Sequence, residues 1–124
     1  MNVLFVGAGG FAGSALRYIL SGLVHRLVPF SAFPYGTLAV NILGCLGIGL
    51  LTGLGEIRQV FGPELRLFLF LGLLGGLTTF STFSYETMAL IRDAQQFKAL
   101  ANIALHLLAG LSSVWAGLVL ARSL

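Results

Sequence analysis

Charged residues are scarce in this chain. Asp, Glu, Lys and Arg make up 9% of its 124 residues, against about 25% in a typical soluble domain. A chain of this length needs a charged shell to present its surface to water, and this composition does not supply one. The residues are instead 57% hydrophobic, with a mean hydropathy of +0.98. We therefore expect most of the surface to face lipid.

Cysteine is also nearly absent. The single cysteine, Cys45, lies in an apolar run, which excludes an internal disulfide and leaves no metal-ligand spacing. We interpret it as a small packing residue. The basic residues outnumber the acidic ones by seven to four, but they are scattered singly between apolar runs. Without a basic cluster, we expect no nucleic-acid partner.

Arrangements typical of an active site are missing too. The sequence has no carboxylate pair, no nucleophile beside a base and no phosphate-binding loop. The glycine-rich stretch at 7–10 follows no strand and lacks the full dinucleotide-binding spacing. We therefore do not expect an enzyme.

Four apolar segments are each long enough to cross a membrane as a helix, which takes about 20 residues. They cover roughly 3–24, 36–55, 67–91 and 99–121, and short polar segments separate them. The connections are too short to hold a second domain, so residues 1–124 are predicted to form a single all-α membrane domain. The first segment lacks a preceding basic region, so we interpret it as a retained span rather than a signal peptide.

Small residues recur every four positions in all four segments. This spacing lets membrane helices approach closely, and it predicts tight helix packing. The residues are Gly9 and Gly13, Gly49 and Gly53, Gly72 and Gly76, and Ala109, Ser113 and Gly117.

The basic residues outside the spans are balanced across the predicted topology. One side carries Arg58, Arg66 and Arg122, and the other carries Arg26, Arg92 and Lys98. With three on each side, the positive-inside rule gives no preferred orientation. We expect copies to insert both ways and to pair about a two-fold axis in the membrane plane, as inverted repeats do. The alternative is a chance balance in a small sample.

Residues 75–84, Gly-Gly-Leu-Thr-Thr-Phe-Ser-Thr-Phe-Ser, place polar groups in the middle of the third span. Paired glycines followed by β-branched threonines form helices poorly, so we predict that this helix is broken. Non-helical backbone at membrane depth persists only where it is buried in protein or lines a cavity. Its freed carbonyls can hold a hard cation such as sodium.

Beyond the predicted break, Phe80 and Phe83 share one face if the helix resumes. Their positive ring edges can attract an anion without a full charge. Nearby hydroxyls can donate hydrogen bonds to the same ion; they belong to Thr79, Ser81, Thr82 and Ser84. Neutral donors suit a strongly hydrated anion because binding must stay weak enough for exit.

Other polar residues within the spans have two open interpretations each. The Asn41 amide either donates to an anion or joins two helices. Arg17 and Glu86 reach similar depths, so they either pair or extend separately to the headgroups. His106 either donates to a passing ion or satisfies a neighbouring group.

These patterns resemble the bacterial fluoride channels of the Fluc (CrcB-type) family. The resemblance rests on residues 75–84, on Gly-Thr-x-x-x-Asn-x-x-Gly at 36–44 and on the first-span Arg17, and it covers the whole chain. It implies an antiparallel, dual-topology homodimer in the bacterial inner membrane. Fluoride would leave the cytoplasm passively through two pores, each built from both copies.

The resemblance also implies residue roles. The fluoride pore would contain Asn41, Phe80, Phe83, Ser81, Thr82, Thr79, Thr37 and His106. Gly75 and Thr78 match positions whose backbone carbonyls hold a structural sodium ion at the dimer axis. Arg17, Glu86 and Ser84 match vestibule or supporting polar positions. The fourth span departs from the pattern, since Asn102, His106 and Gly110 stand where some members carry Tyr and Ser.

Two other functions are compatible with a small four-span protein. A proton-coupled multidrug exporter of the dual-topology type needs a carboxylate near the middle of its first span, whereas this span has Arg17 and no acid. A non-transporting assembly subunit would not need hydroxyls and an amide directed at a shared path.

Overall fold

The structure, a computed structural model, describes residues 1–58 and 61–124, and all the regular structure in these ranges is helical. Its elements are α1 (Asn2–Leu27), α2 (Tyr35–Arg58), α3 (Pro63–Arg66), a π-helical stretch π1 (Leu67–Leu74), α4 (Gly75–Leu77), α5 (Phe80–Arg92) and α6 (Gln96–Ser123).

Within residues 1–58 and 61–124, four stretches are long and apolar enough to cross a membrane. They are Asn2–Leu27, Tyr35–Ile57, Pro63–Arg92 and Gln96–Ser123. Each contains one of the four predicted spans and extends past it into the flanking polar residues. The all-α, four-span prediction is therefore confirmed.

The helix ends follow local sequence signals. Pro63 occupies the first helical position of the third span, where its missing N–H leaves no hydrogen bond unmade. At the other end of that span, Ala94 adopts a left-handed conformation with φ 57°. The Gln95 N–H donates to the Leu90 carbonyl and the Ala94 N–H donates to that of Ile91, which closes α5 with a Schellman motif.

Helix α1 packs in parallel along the third span through small residues. Gly9 and Gly72 face each other so closely that a Cβ on Gly72 would lie 2.7 Å from the Gly9 Cα. Gly13 and Gly76 belong to the same interface, where a side chain on either would meet the opposing backbone. The predicted role of these glycines in close packing is confirmed.

Helix α6 packs along α2 in the same manner. A Cβ on Gly117 would lie 2.6 Å from the Leu50 nitrogen, and one on Gly49 would overlap Val114. The predicted small stripe on α6 is only partly right, because Ala109 and Ser113 are half-buried. The buried face of this helix instead runs through Asn102, Gly110, Gly117 and Ala121.

The third span is broken at mid-length, as predicted. The extended residues are Thr78, with φ −87° and ψ 155°, and Thr79, with φ −152° and ψ 115°. The paired glycines before them remain helical in α4. The π-helical stretch π1 was not predicted; it ends where the Gly75 N–H donates to the Phe70 carbonyl five residues earlier. Wide turns of this kind are rare and often occur beside functional sites.

Candidate functional site

The Asn41 side chain binds the broken backbone of the third span. Its Oδ1 accepts from the Thr79 N–H at 2.8 Å, and its Nδ2 donates to the Thr79 carbonyl at 3.1 Å. The Thr79 N–H lost its regular helical partner, the Gly75 carbonyl, at the break, and a buried N–H requires a replacement. Asn41 therefore joins two helices, and one hydrogen of its amide remains for another acceptor.

The Thr79 side chain starts the second half of the span. Its Oγ1 accepts from the Thr82 N–H at 3.2 Å and so caps α5. The same oxygen lies 3.0 Å from the Thr82 hydroxyl and 3.3 Å from that of Ser81. Three hydroxyls thus gather at the N-terminus of α5, where free backbone N–H groups favour negative charge.

Arg17 and Glu86 do not pair with each other. The Arg17 guanidinium donates instead to the Thr78 carbonyl at 3.4 Å, one residue before the residue that Asn41 binds. Glu86 Oε1 accepts from the buried Thr37 hydroxyl at 2.8 Å, while Glu86 Oε2 is buried without a partner. The first-span cation and the third-span carboxylate therefore have separate structural roles.

Three aromatic rings form a row along α5 and α6. The centroids of Phe80 and Phe83 are 5.5 Å apart, which confirms that the helix resumes and places both rings on one face. The Phe83 centroid lies 4.4 Å from that of His106. Phe83 is half-buried, whereas Phe80 keeps 78% of its surface exposed.

Behind this row, a chain of hydrogen bonds connects α6 to α5. The fully buried Asn102 donates through Nδ2 to the Thr87 hydroxyl at 2.9 Å, and that hydroxyl donates to the Phe83 carbonyl at 2.7 Å. His106 Nδ1 lies 3.0 Å from the backbone carbonyl oxygen of Asn102. Sequence reasoning assigned no site role to Thr87 or Asn102. The available signal was the i, i+4 spacing from Phe83 to Thr87 and from Asn102 to His106.

Most of the predicted site residues line two grooves. The first, which we call the aromatic groove, has a volume of about 400 Å³ and no Asp, Glu, Lys or Arg in its lining. It brings together five predicted pore residues and both residues of the predicted sodium site: Asn41, Thr79, Phe80, Phe83 and His106, with Gly75 and Thr78.

The second groove, which we call the polar groove, has a volume of about 450 Å³. Arg17 and Glu86 lie in its wall with Thr37 and Thr82. Thr79 lines both grooves, so the break in the third span is where they meet. The predicted residues Ser81 and Ser84 line neither groove. Ser81 is exposed, and the Ser84 hydroxyl donates to the Phe80 carbonyl at 3.0 Å.

The backbone carbonyls of Gly75 and Thr78, predicted to hold sodium, supply part of a hard cation's ligand shell. In a continuous helix the Gly75 carbonyl would accept from the Thr79 N–H, which here donates to Asn41 instead. Neutral carbonyl oxygens are suitable ligands for a hard cation. The Thr78 carbonyl already accepts from the Arg17 guanidinium and has one lone pair left. One copy therefore offers two oxygens, and a complete shell needs ligands from elsewhere.

Comparison with known proteins identifies relatives over nearly the whole chain. A family model described as "CrcB-like protein, Camphor Resistance (CrcB)" matches residues 4–118. A protein of Geotalea uraniireducens named "Fluoride-specific ion channel FluC" is 44% identical over 123 residues, covering 99% of this chain and 98% of its own. A protein of the same name from Chlorobaculum tepidum is 47% identical over 123 residues, with 98% and 94% covered. One from Shewanella sediminis is 47% identical over 116 residues, with 94% and 92% covered.

Proposed function

The chain belongs to the CrcB family, and we propose that it lowers cytoplasmic fluoride by letting the ion leave passively through the polar and aromatic grooves. The chain is a fluoride channel and a multi-pass membrane protein, not an enzyme. The observation that supports this path is the broken third span. At that break Asn41, Phe80 and Phe83 line one groove that contains no formally charged side chain.

Neutral groups suit this ion because fluoride holds its water strongly. A path must replace that water with several donors, yet it must release the ion at the other end. The remaining Asn41 hydrogen, the hydroxyls around Thr79 and the edges of Phe80 and Phe83 are donors of this kind. The Ser81 hydroxyl belongs to the same cluster of hydroxyls around Thr79. Thr37 and Thr82 continue the path into the polar groove.

Arg17, Glu86 and Ser84 support the path without binding the ion centrally. Arg17 places positive charge in the wall of the polar groove and attracts anions towards the break. Glu86 is held by Thr37, and Ser84 is bonded to its own helix. We assign the polar groove as the vestibule.

A second copy completes the path. Phe80 is 78% exposed, and Gly75, Ser81 and Thr82 are also exposed near the middle of the span. Hydrocarbon offers no partner for the hydrogen-bonding capacity that these hydroxyls keep beyond Thr79, so this face is better suited to protein or to a water-filled path than to lipid. With three basic residues on each side, the two copies lie antiparallel in a dual-topology homodimer.

The same dimer supplies the ligands that one copy lacks for sodium. Gly75 and Thr78 from each copy would hold the ion through their carbonyls at the dimer axis. A bound cation there supplies structural charge between the two broken helices and has no part in moving fluoride.

The driving force is the membrane potential, which supplies roughly 2.3 kcal/mol per elementary charge for each 100 mV. In the inner membrane of a bacterium, the negative interior expels fluoride without another energy source. The relatives' names support this function and not a multidrug exporter. Helix α1 also contains no carboxylate for proton coupling.

Fluoride efflux from proteoliposomes tests the proposed path. Vesicles loaded with potassium fluoride should release fluoride only when valinomycin carries the compensating potassium. The Phe80→Ile variant should lose at least about tenfold in rate because its ring edge is gone. Phe11→Ile is the matched control, since Phe11 on α1 is 79% exposed and lines neither groove. Equal rates in both variants would remove Phe80 from the path.

The proposed dimer has its own test. The double variant Cys45→Ala, Leu124→Cys carries one cysteine, which is labelled with a membrane-impermeant maleimide in intact cells. Dual topology predicts labelling of about half the chains and complete labelling after lysis. Labelling of all chains or of none would contradict the antiparallel arrangement.

A further inference from the structure

His106 is the one histidine in the lining of the aromatic groove, and its hydrogen bond determines which nitrogen carries the proton. Nδ1 lies 3.0 Å from the Asn102 carbonyl oxygen, which can only accept. Nδ1 must therefore be the donor, and in the neutral ring Nε2 keeps a lone pair. That Nε2 is buried and has no partner.

This tautomer changes what His106 offers to an anion. Fluoride accepts hydrogen bonds. In the neutral ring the lone pair of Nε2 would face the lone pairs of the ion, and the two repel. Protonation converts Nε2 into an N–H donor and adds one positive charge beside the Phe83 ring, whose centroid lies 4.4 Å away. The same side chain is thus unfavourable to fluoride in one protonation state and favourable in the other.

We propose that His106 is a proton-dependent fluoride ligand on the fourth span, which makes fluoride affinity rise as the pH falls. The inference rests on the proposed function and specifies how one residue of that path acts. The hydrogen bond from Asn102 to Thr87 joins α6 to α5, and the Thr87 hydroxyl in turn donates to the Phe83 carbonyl within α5. They position the imidazole and the aromatic ring side by side.

Few other titratable groups face this imidazole. From α2, the groove lining contributes Cys45, and thiols ordinarily lose their proton only at about pH 8.5. From π1, α4 and α5 it contributes no ionisable side chain. The nearest carboxylate on α5, Glu86, lies in the polar groove and is bonded to Thr37, and Arg17 and His25 lie in that groove as well. Histidine is the side chain that ordinarily changes charge between about pH 5 and pH 8.

Efflux kinetics over this pH range test the proposal in the intact dimer. Initial rates are measured at several fluoride concentrations, with equal pH on both sides and with the leak of protein-free vesicles subtracted at each pH. The half-saturating fluoride concentration of the wild type should fall at least about threefold between pH 8 and pH 5. His106→Gln, whose amide does not titrate in this range, should show no such change.

Two control variants assign the pH effect to His106. Glu86→Gln and His25→Gln each remove one ionisable side chain from the polar groove, and both should keep the wild-type dependence of the half-saturating concentration on pH. The proposal would be overturned if the pH dependence of the half-saturating concentration disappeared in either variant and persisted in His106→Gln. A half-saturating fluoride concentration of the wild type that does not depend on pH would also overturn it. A wild type that carries no fluoride would overturn the proposed function and this inference with it.

A spectroscopic measurement does not require the His106→Gln variant to fold. His25→Gln leaves His106 as the only imidazole of the chain. Its ¹⁵N resonances at high pH should identify the tautomer protonated at Nδ1, and adding fluoride should raise the pH at which the ring gains its second proton. A ring protonated at Nε2, or a titration that fluoride does not move, would contradict the proposal.

Discussion

The Asn41 amide makes both of its backbone hydrogen bonds to one residue, Thr79, at 2.8 and 3.1 Å. Its Oδ1 replaces the acceptor that the Thr79 N–H loses at the break, and so it keeps an interrupted helix stable at membrane depth. The same side chain has one N–H left for the ion. The two interpretations open from the sequence, joining helices and donating to an anion, are therefore compatible.

We expect Asn41→Asp to reduce fluoride efflux by at least about tenfold, because the carboxylate cannot donate to the Thr79 carbonyl and repels the anion. Loss of the hydrogen bond from Nδ2 to the Thr79 carbonyl should also cost about 0.5–1.5 kcal/mol of stability. Efflux rates and thermal unfolding in detergent measure the two effects. Asn41→Gln is the comparison with the same amide on a longer side chain. Wild-type flux in Asn41→Asp would show that this amide is not on the path.

Thr37→Val should reduce flux about threefold to tenfold, since the Glu86 carboxylate loses its hydrogen-bond donor beside the vestibule. Valine keeps the shape of threonine, so packing is nearly unchanged. Thr37→Ser retains the hydroxyl and should stay within about twofold of the wild type. The measurement is the same efflux assay. Equal losses in both variants would point to packing rather than to the hydroxyl.

Gly9→Ala should destabilise the protein by about 1–3 kcal/mol, because the new Cβ would lie 2.9 Å from the Gly72 Cα. Gly7→Ala is the matched control on the same helix, since a Cβ there meets nothing within 4 Å. Unfolding in increasing concentrations of denaturing detergent compares the two. Similar midpoints for both variants would mean that α1 does not pack on the third span at Gly9.

Removal of sodium should weaken the dimer if Gly75 and Thr78 hold the ion. A ligand present at about 100 times its dissociation constant stabilises the folded form by about 2.7 kcal/mol. We expect the unfolding temperature and the dimer fraction to fall when choline replaces sodium, and to recover when sodium returns. Identical values in the two salts would exclude a structural sodium ion.

Ala94→Gly should stabilise the protein by about 0.5–1 kcal/mol, because the residue has φ 57° and glycine adopts this conformation without strain. Ala116→Gly, at an exposed position inside α6, is the opposite control and should cost a similar amount. Thermal unfolding midpoints separate them. Destabilisation by both substitutions would contradict the Schellman motif at the end of α5.

Much of the fold follows from local sequence. The four apolar segments predicted the spans, and the glycines with Thr78 and Thr79 predicted the break. Phe80 and Phe83 were correctly placed on one face because they lie three residues apart on a single helix. The stripe on α6 was placed partly in the wrong register, since small residues occur on more than one side of that helix. No pattern in the sequence predicted π1, which packs against α1 at Gly9 and Gly72.

Hydropathy and residue spacing alone determined that the chain is a four-span helical protein with polar groups at mid-membrane, because both depend on neighbours within one helix. The partners of those groups follow from the three-dimensional packing: Arg17 with the Thr78 carbonyl, Glu86 with Thr37, and His106 with the backbone carbonyl of Asn102. Such pairs depend on how each helix is rotated about its axis when it packs. Rotation is set by contacts between distant parts of the chain, and no local pattern specifies it.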